Sequence, residues 1–265
     1  MRRKWIAPSA VVWLVVAAAF FLLPLIATLM FSLRSIQTNK CCSGAAYSLI
    51  VHDHQFWHTI RVSFVLSLET IAISLLLFVP TVYWVHLKLP RLRPVLGFMA
   101  LIPFVVPPII LVVGLLDLYK GAPAWFYDKP YGILGFAYVI LAFPYMYFSL
   151  DAGFRAIDLH TLTEASQNLG ASWRTTLLRV ILPNIRAAAL GGSFLTLAIV
   201  MGEFTIASLA AFKTFPTYIQ IVNETQPYEA AALSLLSFMI VWAAMLALLF
   251  VGRGRVRTAQ VATTR

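Results

Sequence analysis

Apolar residues run along this chain in long continuous blocks broken by short polar connections. Ile6 to Leu33, Val95 to Leu116, Pro130 to Leu150 and Ala230 to Gly252 contain no charged residue. Val62 to Val85 contains only Glu69, and Ala187 to Phe212 contains only Glu203. A membrane-crossing helix needs about 20 predominantly apolar residues, and each block supplies that length. Membrane strands would instead alternate apolar and polar positions over segments of about ten residues. The pattern therefore predicts an all-α, polytopic membrane protein with six spans, near residues 9–32, 60–86, 95–116, 131–150, 186–211 and 229–251. They make one transmembrane domain, residues 1–265, with a polar loop at 158–183 inside it.

That loop holds the longest polar, helix-patterned stretch, Thr161 to Pro183. Thr161 and Glu164 have the spacing of a capping box, in which hydroxyl and carboxylate each satisfy a backbone N–H at a helix start. Leu162, Ala165, Ser166 and Leu169 then fall on one small-residue face. Gly170 ends this helix, since glycine enters the left-handed region without a Cβ clash. Ser172 can cap a second helix, on which Trp173, Leu177, Val180 and Ile181 share a face and Arg174 and Arg179 lie off it. Pro183 disfavours a helical Leu182 and predicts a break there. The small face of the first helix suits entry into a groove on another protein.

Two spans carry polar or irregular features. Pro103, Pro107 and Pro108 remove successive helix hydrogen bonds, and irregular backbone at membrane depth is tolerated only inside protein or against a water-filled cavity. Glu69 and Glu203 are intramembrane carboxylates, which either line a solute pathway or act as structural hydrogen-bond partners in the bundle. Ala188, Gly192 and Thr196, then Ala198 and Gly202, have the four-residue spacing that lets helices approach closely. Pro24 is read as a simple kink in the first span.

Composition agrees with a membrane protein: the chain is 61% hydrophobic and 11% charged, too little charge to cover a soluble surface. The net charge of +10 could suggest nucleic acid, but its placement argues otherwise. With six spans, fourteen of the twenty lysines and arginines fall on one side, together with both termini and the 158–183 loop. Positive residues concentrate in cytoplasmic loops, which puts that side in the cytoplasm and leaves no reason to invoke nucleic acid. Arg2, Arg3 and Lys4 before an apolar run resemble a signal peptide, but the run far exceeds a signal core of about 7–15 residues, so it is read as a retained first span. Cys41 and Cys42 are adjacent and without other cysteines, which supports neither a disulfide framework nor a thiolate metal site. His52, His54 and His58 cluster in the first outer loop, but no carboxylate pattern beyond Asp53 accompanies them. Tyr47 to Trp57 is expected to lie along the outer surface. No phosphate loop, H-E-x-x-H or G-x-S-x-G occurs, so neither catalysis nor a cofactor is expected.

Glu164-Ala165-Ser166, then Gly170-Ala171 and Ile181-Leu182-Pro183, resemble the EAA motif of ABC transporter permeases, the binding-protein-dependent type I importers. Ser166 stands where that pattern has its second alanine, and Val180 takes the usual isoleucine place before Ile181. The proline-rich third span and the GEFTIASL stretch of the fifth also resemble the family. The resemblance implies coupling residues at Glu164, Ala165, Ser166, Leu169, Gly170 and Ala171, docking on a cytoplasmic ABC ATPase dimer. It further implies a second permease subunit, identical or not, an extracytoplasmic solute-binding protein, and residence in the bacterial inner membrane. Glu69, Pro107, Pro108 and Glu203 would then line the translocation pathway. Its GEFTIASL stretch points to the branch of polyamine, ferric iron, thiamine, sulfate and phosphonate permeases, and two intramembrane glutamates tilt the reading toward spermidine or putrescine. An ion-coupled secondary transporter, with the same glutamates carrying protons, is the alternative from a different class.

Overall fold

The computed structural model describes residues 8–34, 44–127 and 129–253, and among the described residues there is no strand. Cys41, Cys42, the Arg2-Arg3-Lys4 start and the basic tail after Arg253 lie outside the described residues. The helices are α1 (Pro8–Ser32), α2 (Ala45–His52), α3 (His54–Leu87), α4 (Arg93–Val105), α5 (Pro108–Leu118) and α6 (Ala124–Tyr127). They continue with α7 (Pro130–Arg155), α8 (Leu159–Asn168), α9 (Trp173–Asn184), α10 (Arg186–Gly202), α11 (Thr205–Leu209), α12 (Phe215–Thr225) and α13 (Pro227–Arg253).

Helices α1, α3, α7 and α13 are each long and apolar enough to cross a membrane. Two bent pairs, α4 with α5 at 99° and α9 with α10 at 77°, bring the number to as many as six. The bend after α4 falls where the prolines predict it. Val106 leaves the helix with φ −82° and ψ 115°, Pro107 is extended, and Pro108 starts α5 at a position where a missing N–H costs nothing. Pro103, by contrast, stays inside α4.

Three expectations need correction. The fifth span is not continuous to residue 211: α10 stops at Gly202, Glu203 is extended with ψ 114°, and a new short helix, α11, starts at Thr205. Leu182 is helical despite Pro183, and the break comes at Ile185. The chain absorbs the proline by widening Thr176–Ile181 into a π-helix, so that the Leu182 N–H reaches the Leu177 carbonyl. That register relieves the ring's clash with the carbonyl four residues back. The third correction concerns the start of α8 and is described with the site.

The chain clusters into two compact units, Met1–Trp57 with Tyr218–Ile240, and His58–Thr217 with Val241–Arg265. Within the first, the Ser32 hydroxyl meets the Tyr47 hydroxyl at 2.8 Å, Tyr218 donates to Asp53, and the rings of Phe31 and Tyr228 pack 4.7 Å apart. Trp57 turns its indole N–H onto the Val51 carbonyl, closing the corner between α2 and α3. From Val11 to Phe31 the apolar side chains of α1 are exposed.

The second unit is organised around α7. Helix α10 lies against it through small residues: a Cβ at Gly153 would collide with that of Ala188, and one at Gly192 would come within 2.8 Å of the Met146 sulfur. Ser149 donates to the Ala188 carbonyl at 2.6 Å across the same contact. The predicted spacing is thus used at Ala188 and Gly192, whereas a Cβ on Gly202 would meet open space. One apolar core joins Tyr83, Met146, Leu150, Phe154, Leu177 and Ile181, and another joins Leu66, Val112, Leu134, Tyr138, Val200 and Ile206.

Candidate functional site

The polar loop folds as two short helices held by three local devices. Helix α8 starts one turn's worth of hydrogen bonding earlier than the Thr161–Glu164 spacing suggests. Asp158 is the cap: its carboxylate accepts from the Thr161 N–H at 3.2 Å and from the Thr161 hydroxyl at 2.7 Å. Those two bonds hold the Asp158 carboxyl below its ordinary pKa. The capping box is therefore not formed, because an anion three residues ahead of Thr161 already satisfies that donor. Glu164 is left exposed on the helix surface.

At the other end Gly170 adopts φ +81°, with its N–H on the Gln167 carbonyl and the Ala171 N–H on the Ser166 carbonyl. This paired arrangement is a Schellman ending, which a left-handed glycine permits. Ser172 then caps α9, its hydroxyl accepting from the Thr175 N–H at 3.3 Å. Both the Gly170 turn and the Ser172 cap are where the sequence predicts them.

The six coupling candidates separate into two faces. Ser166 is buried, its hydroxyl 3.0 Å from that of Thr176 on α9, so it joins the two helices and does not contribute to an outer surface. Thr163 and Leu159 are buried on the same side, the Thr163 hydroxyl 3.5 Å from that of Tyr83. Glu164, Ala165, Leu169 and Gly170 are exposed, Ala171 is half-buried, and Leu169 at 89% exposure is the most prominent apolar side chain of the pair. On α9, Leu177 and Ile181 are buried and Val180 partly so, Trp173 is partly exposed, and the Arg174 guanidinium sits 5.7 Å from the Trp173 ring. The small face at i, i+3, i+4 and i+7 is thus split by the actual packing.

The four pathway candidates are likewise unequal. Glu203 is buried, and its carboxylate accepts from the Ile206 N–H at 3.0 and 3.1 Å and from the Ala207 N–H at 3.3 Å. It caps α11, which fits the structural alternative. The buried Tyr138 hydroxyl has no hydrogen-bond partner among the described residues. Glu69 differs: it lies against Gly135, where a Cβ would come within 3.2 Å of its Oε1, and its buried Oε2 has no hydrogen-bond partner among the described residues. Pro107 and Pro108 form the bend between α4 and α5.

Sequence reasoning passed over a fourth feature. Asp151 on α7 is buried, with His86 Nε2 at 2.7 Å, an Arg155 nitrogen at 2.5 Å and an Arg93 nitrogen at 3.6 Å. It ties the end of α3 to the start of α4 and the end of α7. Arg155 at i+4 from Asp151 was the available signal.

No family model matches the chain. A Sinorhizobium fredii protein described as a probable ABC transporter permease is 25% identical over 283 aligned positions, covering 98% of this chain and 48% of that protein. The spermidine/putrescine transport system permease of Escherichia coli is 28% identical, covering 48% of this chain and 51% of its own length. A Prototheca wickerhamii protein described as a probable sulfate transport system permease is 29% identical, with 55% and 62% covered. The chain spans about half the length of the first two of these relatives. Among solved structures, a chain of a bacterial alginate ABC transporter, crystallised with alginate pentasaccharide-bound periplasmic protein, superposes with TM-score 0.69 at 15% identity, covering 95% of both chains. A second crystal structure of a bacterial alginate importer gives TM-score 0.68 at 14% identity. The fold is that of ABC importer permeases.

Proposed function

We propose that this chain, whose relatives are ABC transporter permeases and whose fold is theirs, is a membrane subunit of an ATP-driven importer. It forms the solute pathway with a second permease subunit and docks on a cytoplasmic ABC ATPase dimer through α8 and α9. The observation that carries this reading is a rigid, doubly capped helix pair between membrane spans whose outer face presents Glu164, Ala165 and a fully projecting Leu169. An exposed leucine on an otherwise well-packed pair is the kind of anchor a groove on a partner buries.

An extracytoplasmic binding protein delivers the solute in this scheme, and the inner membrane of a bacterium is its place, with both termini on the cytoplasmic side. Polyamines are the preferred solutes. Support comes from the spermidine/putrescine relatives and from Glu69, a partly buried carboxylate with an unpartnered oxygen suited to an ammonium group. The sulfate relative keeps anionic solutes in contention. The same Glu69 oxygen supports the alternative of an ion-coupled carrier.

Reconstitution separates these. Proteoliposomes holding the chain, the ATPase from its gene neighbourhood and the binding protein should take up labelled spermidine or putrescine only with ATP inside the vesicle's cytoplasmic compartment. Uptake by the chain alone, driven by a proton gradient, would overturn the importer reading.

A further inference from the structure

The Asp151 cluster is not part of the proposed coupling face, and it borders a cavity of about 390 Å³. Its walls are Pro90, Pro94, Gly97 and Phe148, and its charged lining is Arg93, Arg155 and Asp151. The charges do not balance. One carboxylate faces two guanidinium groups, Arg93 on Oδ1 and Arg155 on Oδ2, while the His86 Nε2 lies 2.7 Å from Oδ1. Arg155 engages Asp151 closely, while Arg93 stands 3.6 Å away, beyond hydrogen-bonding distance. The Arg93 Nε is buried and has no hydrogen-bond partner among the described residues. The two arginine side chains as a whole are reachable, Arg93 at 33% and Arg155 at 63% exposure, and an anionic oxygen placed in the cavity would accept charge-assisted bonds from both guanidinium groups.

We infer that this cavity binds a phosphate group, with Arg93 and Arg155 as its ligands and Asp151 as the carboxylate that competes for them. Position favours the phosphate of an anionic lipid headgroup. The cavity lies where the short basic turn Lys88–Pro94 meets the start of α4 and the end of α7, and Pro90, Pro94, Gly97 and Phe148 add apolar wall beside the arginines. Basic pockets between membrane helices on the cytoplasmic side hold anionic headgroups in this way. A soluble phosphate would use the same two arginines.

The full-length chain, purified in detergent and delipidated, can be titrated by native mass spectrometry with phosphatidylglycerol, phosphatidylcholine and inorganic phosphate. Phosphatidylglycerol should bind at least tenfold more tightly than phosphatidylcholine. Gly97→Leu puts an apolar side chain into the cavity without removing a charged residue, and its Cβ meets only the Tyr147 hydroxyl, at 4.0 Å. It should weaken phosphatidylglycerol at least tenfold at an unchanged thermal midpoint. Arg155→Gln should weaken it as well, whereas Asp151→Asn, which frees both arginines from a competing anion, should tighten it. A purely structural cluster would give no gain in Asp151→Asn. Competition by millimolar inorganic phosphate supports the site with a soluble anion as its ligand, and absence of competition supports the lipid. Equal binding of the two lipids, or binding that Gly97→Leu leaves intact, would overturn the proposal, and neither readout depends on transport.

Discussion

The Ser166 hydroxyl lies 3.0 Å from the Thr176 hydroxyl, and this contact makes one body of two helices too short to stand alone. Thr176 also donates to the Ser172 carbonyl at 3.1 Å, so it serves the α9 cap and the α8 contact together. Ser166→Ala should cost about 1 kcal/mol, the worth of one ordinary hydrogen bond, and Thr176→Val should cost more. Limited proteolysis of the 158–183 loop, expected to quicken in the order wild type, Ser166→Ala, Thr176→Val, checks the ranking.

Leu169 and Gly170 should separate docking from folding. Leu169→Asp removes an exposed apolar side chain and is expected to stay within about 0.5 kcal/mol of wild-type stability. In the proposed complex it should lower solute-stimulated ATP hydrolysis at least tenfold. Gly170→Pro cannot hold φ +81° and should abolish stimulation while the spans still insert, as read by membrane fractionation. Normal stimulation in both variants would remove the coupling role from this turn.

Acid should loosen the start of α8, and only acid. The folded Asp158 carboxyl sits below its ordinary value of 3.8, so folding favours the ionised form. Its contribution is complete above pH 3.8 and is lost as the pH falls through the lower, folded value. Amide exchange at Thr161 should therefore be protected at neutral pH and lose protection below that value. In Asp158→Asn, which caps without titrating, protection at Thr161 should show no such acid step.

Glycines on α7 and α10 offer a packing test with its own control. Gly153→Val forces α7 away from Ala188 and should destabilise by about 1–3 kcal/mol, the usual cost of overpacking. Gly202→Ala meets open space and should leave the thermal midpoint in detergent close to wild type.

Glu69 and Glu203 should respond differently to the same change. Glu203→Gln weakens three charge-assisted bonds to backbone donors and is expected to lower stability by about 1.5–3 kcal/mol. Glu69→Gln removes a carboxylate without hydrogen-bond partners among the described residues, so it should spare stability and reduce uptake of a cationic solute. Equal loss of stability in the two variants would return Glu69 to a structural role.

Much of this was legible from residue order, because membrane helices announce themselves by length and apolarity. Gly170 and Ser172 were readable because their roles depend on backbone geometry within a few residues. Asp158 was missed as a cap because Thr161 and Glu164 fit a local template equally well, and only the structure decides which oxygen arrives first. The burial of Ser166 was not legible because a helix face read from periodicity says nothing about which part of it meets Thr176. Asp151 was invisible for a related reason: apart from Arg155, its partners His86 and Arg93 stand some sixty residues away and meet it only when α3, α4 and α7 come together.

The paired prolines at the α4–α5 bend leave a lasting imbalance of hydrogen-bond donors. Pro107 and Pro108 have no N–H to offer the carbonyls of Pro103 and Phe104, and Pro103 has none for Met99. At about 1.5 Å per residue neither α4 nor α5 reaches the hydrocarbon thickness alone, so this shortage of donors falls at the junction of two apolar helices and not at the end of a full-length one. Water, or an N–H or O–H group brought by a neighbouring side chain, is what can make good the difference.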